Sequence, residues 1–150
     1  MRVENWESKL ALIIEETINK KEFKLGVNDC LTFPVKCIET ITGIKVFDKK
    51  YKSLKEAKKL LKKLKSKDIL SVALQSAKEN NFKEIDISKA QRGDILYYKS
   101  GTADFEGTLG VCLGDKVMFN WSQGINLRLK EDCITAWRVE WKFIIKLYMI

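Results

Sequence analysis

Few residues in this chain could do chemistry, and the first of them is Cys30, which closes the stretch Phe23-Lys24-Leu25-Gly26-Val27-Asn28-Asp29-Cys30. Lys24 to Val27 carry a turn signal, and Asn28 and Asp29 both suit an N-cap, so the spacing places Cys30 at or next to the first position of a helix. A thiol there feels the positive end of the helix dipole, which lowers its pKa and makes Cys30 the first candidate nucleophile. A cysteine hydrolase also needs a base to hold the thiolate and later protonate the leaving group. The chain has no histidine. A substitute would have to be Asp94, Asp104, Glu106 or a desolvated lysine reaching Cys30 from the loop between Lys99 and Gly107. The plainer reading is that Cys30 is a small apolar packing residue at a helix start. Cys37, Cys112 and Cys133 read as core thiols, and with no C-x-x-C spacing neither a metal nor any other cofactor is expected.

The elements that must position Cys30 follow from periodicity. Trp6, Leu10, Ile13, Ile14 and Ile18 recur at helical spacing, which predicts an amphipathic helix from about residue 4 to 20. The helix headed by Cys30 should run to about Ile41 and stop at Thr42-Gly43; it is apolar nearly all round, as a buried helix must be. Leu54, Ala57, Leu60, Leu61 and Leu64 form the next stripe, backed by Lys55, Lys58, Lys59, Lys62, Lys63, Lys65 and Lys67 over residues 53 to 67. Ile69 to Glu79 is a further short helix.

From Ile85 the period becomes extended. Strands are predicted over Ile95 to Tyr98, Thr108 to Leu113, Lys116 to Trp121, Ile125 to Leu129, Ala136 to Val139 and Lys142 to Tyr148, joined by Gly-containing turns into an antiparallel meander. Helices first and strands afterwards predict an α+β fold, with a helical part over about residues 1 to 83 and a sheet part over about 85 to 150 of a single domain. Trp121, Trp137 and Trp141 could line a groove for a glycan or peptide, but fit better as core and rim of the sheet, with Trp137 packing near Trp6.

The chain lacks an apolar signal region in Met1 to Lys9 and any run near the ~20 residues of a membrane span, which predicts a protein made in a reducing bacterial cytoplasm with free thiols. The net charge of +8 favours anionic partners. Lysine supplies most of it, with four arginines in the chain and neither Arg nor aromatics interleaved in the lysine stripe. That pattern reads first as a solvated helix face and second, through Lys55, Lys58, Lys59, Lys62 and Lys63, as a binder of nucleic acid or an anionic polymer.

The order of a Cys-headed buried helix, a Gly-Asp turn into a strand and a Leu-Gly-Val-x-x-Gly hairpin resembles the NlpC-type papain-like cysteine peptidases of bacterial cell walls and phage. It is more closely similar to a phage and prophage branch of that superfamily through Phe23 to Cys30, Tyr51 to Ala57, Arg92 to Asp94, Leu109 to Gly114 and Ala136 to Val139. The resemblance implies a papain-like fold, with the nucleophile position at Cys30, the histidine position at Thr108, the orienting residue near Asn120 and the oxyanion tyrosine at Phe23. With base and oxyanion donor replaced, it implies a catalytically inactive virion or tail protein that binds other phage tail or virion proteins. The alternative is an active hydrolase of peptidoglycan peptide or amide bonds that uses Cys30 and an unfamiliar base.

Overall fold

In the computed structural model, residues 1–19, 22–64, 68–99 and 107–140 are described. Among the described residues four helices precede the sheet: α1 (Trp6–Asn19), α2 (Thr32–Thr42), α3 (Leu54–Lys63) and α4 (Ile69–Glu79). Their ends follow local chemistry. Gly43 takes the left-handed conformation after α2 and returns its N–H to Glu39 O. Ser53 Oγ accepts from Glu56 N at the start of α3, and Asp68 Oδ1 accepts from Ser71 N at the start of α4.

Six strands follow among the described residues: β1 (Lys83–Ile85), β2 (Ile95–Tyr98), β3 (Thr108–Cys112), β4 (Lys116–Trp121), β5 (Gly124–Leu129) and β6 (Thr135–Arg138). All pairings are antiparallel, in the order β1-β6-β2-β3-β4-β5. The architecture is therefore α+β, as expected. The meander, however, covers only β2 to β5. β6 crosses back to take the free edge of β2 and pairs Ile95 with Trp137, and β1 then adds outside it. Trp141 and the strand expected over Lys142 to Tyr148 lie outside the described residues.

Both faces of the sheet are covered. Ile95, Tyr97, Val111, Met118 and Trp137 join Leu10 of α1 and Phe33, Cys37 and Ile41 of α2 in one core, with Trp6 packed against it. Leu96, Cys112, Val117, Phe119 and Ala136 face the other way onto Ala90 and Cys133. Burial on two sides explains why these strands read as unbroken apolar runs instead of alternating ones. On the second face Trp121 and Phe119 stack with Tyr98, and the Arg128 guanidinium lies over Tyr98 and Trp121. Burial raises the pKa of Cys37, and likewise of Cys133, to about 12 in the latter case, as expected of inert core thiols.

Candidate functional site

Asp29 is the best-connected side chain at the place where chemistry was expected. It is 0% exposed. Its Oδ1 accepts from Leu31 N at 2.8 Å and Thr32 N at 2.7 Å, and its Oδ2 accepts from Gly26 N at 2.7 Å and Tyr51 Oη at 2.6 Å. Four donors around one carboxylate offset its loss of water. The first two are donors that the start of α2 would otherwise leave unmet, so Asp29 acts as the cap although the regular helix begins at Thr32.

Cys30 follows this cap directly and lies in the turn before α2. The sequence predicts a thiol acidified by the helix terminus; the structure reverses the sign. Burial first, and then the neighbouring Asp29 carboxylate, push the Cys30 thiol up to about 11. The helix N–H groups that could have favoured a thiolate are aimed at Asp29 instead. Tyr51 is affected in the same sense: burial and its bond to Asp29 raise the phenol well above its ordinary value.

Thr108, at the start of β3, lies beside Cys30. Its hydroxyl is the one neighbouring side chain that favours the thiolate. Thr108 Oγ1 nevertheless has no hydrogen-bond partner of full geometry among the described residues. The contact is therefore a weak one, consistent with sulfur as a poor acceptor and with a net shift that remains upward. Asn120, the position that the resemblance gives to the orienting residue, is 4% exposed on β4. Its amide donates to Asn28 Oδ1 at 2.8 Å and to Asp29 O at 3.3 Å, which ties β4 to the Cys30 turn. Phe23 is half-buried just before the Lys24–Asn28 bridge that closes this turn.

Asp94, considered above as a substitute base, is unavailable for that task. It is 0% exposed and receives Arg2 Nη2 at 2.9 Å and Val139 N at 3.1 Å on Oδ1, with Gln91 N at 2.8 Å and Arg138 Nε at 3.1 Å on Oδ2. Gly93, at φ +93°, leaves the space that Arg2 Nη1 fills. Asp104 and Glu106 lie outside the described residues.

Beside Cys30 is a cavity of about 40 Å³ walled by Leu25, Cys30, Tyr51 and, from α3, Leu60 and Leu61. It has room for a few water molecules. The roof of this cavity is the apolar side of α3, whose opposite side carries Lys55, Lys58, Lys59, Lys62 and Lys63, all exposed. Lys65 and Lys67 lie outside the described residues.

The family model described as a domain of unknown function, DUF6950, matches residues 1–139. The chain belongs to the DUF6950 family. No curated protein matches it. The stretch matched by DUF6950 takes in the Cys30 turn, both Asp hubs and all six strands.

Two partners of the site carry no functional signal in the sequence. In the sequence Tyr51 is only the first residue of the stretch Tyr51 to Ala57 that carries the resemblance, and Asn28 only a possible cap. Gly26 carried a signal as part of the turn: at φ +81°, a Cβ there would overlap the Tyr51 carbonyl oxygen. Gly26→Ala should therefore cost at least ~2 kcal/mol, combining a left-handed conformation with a clash against main chain. Urea unfolding of the variant checks this, and a loss under ~0.5 kcal/mol would mean that the Tyr51 segment can yield.

Proposed function

We propose that this DUF6950 chain is a catalytically silent relative of the NlpC-type papain-like peptidases, serving a binding or structural role in a phage or prophage virion or tail. The observation that carries the silent part is the set of groups around Cys30. Thr108 stands beside the sulfur without a titrating group, and the Asp29 carboxylate is committed to four donors. The Asn120 amide is spent on Asn28 and Asp29 and is not left to orient an imidazole. The cavity beside Cys30 is too small for a peptide. The papain-like kinship and the virion setting rest on the resemblance of motifs, and other tail or virion proteins are the partners it suggests.

The test is incubation of the intact chain and its Cys30→Ala variant with purified peptidoglycan, followed by muropeptide analysis. Neither protein should release fragments. Cleavage by the native chain that disappears in Cys30→Ala would establish the hydrolase alternative and remove this proposal.

A further inference from the structure

We infer that the lysine face of α3 and the segment before it form a docking surface for the phosphate backbone of duplex nucleic acid, bound without regard to base sequence. This goes beyond the proposed role and does not depend on the state of Cys30.

The first observation is where the charge resides. Residues 49 to 67 hold ten lysines and one glutamate, which leaves 18 basic and 19 acidic residues in the rest of the chain. The whole net charge of +8 is thus a property of one short stretch, whereas a merely lysine-rich composition would spread it. The second is that the structure turns this stretch outward: every lysine from 49 to 63 is exposed. Two of the described acids in or beside this stretch are drawn to its N-terminal end. Asp48 is paired with Lys49 at 3.7 Å, and the Glu56 carboxylate is drawn back to accept from Lys52 N at 2.6 Å.

The chemistry of the face selects the partner. Lys55, Lys58, Lys59, Lys62 and Lys63 recur on one side of a helix that rises ~1.5 Å per residue, so α3 offers them along roughly 12 Å. Duplex DNA presents one phosphate per ~1.7 Å of axis, a matching surplus of negative charge. Single strands are held chiefly by aromatic stacking, and this face carries no aromatic or Arg. Interfacial membrane helices bury their apolar side in lipid. Here Ala57 is buried and Leu60 and Leu61 wall the Cys30 cavity, so the apolar side of α3 already belongs to the domain.

The experiment is fluorescence anisotropy of a labelled random-sequence duplex of ~20 base pairs titrated with the intact chain at a series of salt concentrations. Four or five phosphate contacts predict a slope of log K on log salt near −4, and a loss of a few hundred-fold in affinity between 50 and 200 mM salt. Replacing Lys55, Lys59, Lys62 and Lys63 by Gln should flatten the slope by about 3.6 units. A control with the same loss of charge, Gln at the exposed Lys9, Lys83, Lys89 and Lys116, should leave both affinity and slope nearly unchanged. Equal weakening by the two sets overturns the localisation. Absence of duplex binding at 50 mM salt, or binding confined to vesicles containing anionic lipid, overturns the partner.

Discussion

Asp94→Ala lowers the stability of the fold by about 3–5 kcal/mol, the range found when one member of a buried ion pair is removed and its partner is left in place. Here two partners are left. Arg2 and Arg138, whose side chains are 13% and 27% exposed, both lose their carboxylate, and the N–H groups of Gln91 and Val139 lose their acceptor. Without Asp94 the two guanidinium groups also face each other; even now each opposes the charge of the other, and burial already works against Arg2. The damage is concentrated where the N-terminus, the Arg92-Gly93-Asp94 turn and the end of β6 meet, because Arg2 also bonds Val139 O and Arg92 O, and Arg138 bonds Lys89 O. Asp94→Asn, which keeps the shape but not the charge, should fall between the two. Denaturant midpoints with unchanged m-values measure the loss, and a value under ~1 kcal/mol for Asp94→Ala would show that the hub is dispensable.

Cys30 should be alkylated about 100-fold more slowly at neutral pH than a thiol of ordinary pKa, since a rise from 9.0 to about 11 leaves that much less thiolate. Peptide-resolved mass spectrometry after timed iodoacetamide treatment separates Cys30 from the other three thiols and gives the midpoint directly. A midpoint at or below 9 would overturn the account of Asp29 as a charge that opposes the thiolate. Asp29→Asn tests the cause: the Cys30 midpoint should move down, with burial left as the main cause of the remaining rise.

The same shift has a consequence for stability, and its sign is fixed. The folded state holds the Cys30 proton more tightly than the unfolded chain does. This contribution is therefore fully present below pH 9 and is lost as the pH rises through about 11, by about 3 kcal/mol in total. Cys133, raised to about 12, adds to the loss in the same direction at higher pH. Cys30→Ala should remove the part between pH 9 and 11, seen as a flatter alkaline limb in thermal unfolding.

Much of the architecture is legible in local pattern. The stripe from Trp6 to Ile18 becomes α1, and the apolar runs Ile95 to Tyr98 and Lys116 to Trp121 become β2 and β4 with their predicted ends. Such features depend on residues a few places apart, whose faces are set by a period of 3.6 or 2.

The sequence by itself determined the helices, most of the strands, the α+β class, the absence of a histidine base and the crowding of positive charge between residues 49 and 67. Tertiary structure decided the placement of β6 between β1 and β2, the commitment of Asp94 to Arg2 across 92 positions, and the partnership of Asp29 with Tyr51 across 22. It also decided the state of Cys30. A local rule places a thiol near a positive helix end, yet burial and a carboxylate that takes the helix N–H groups outweigh it, because desolvation and charge are fixed by what the whole chain packs around an atom.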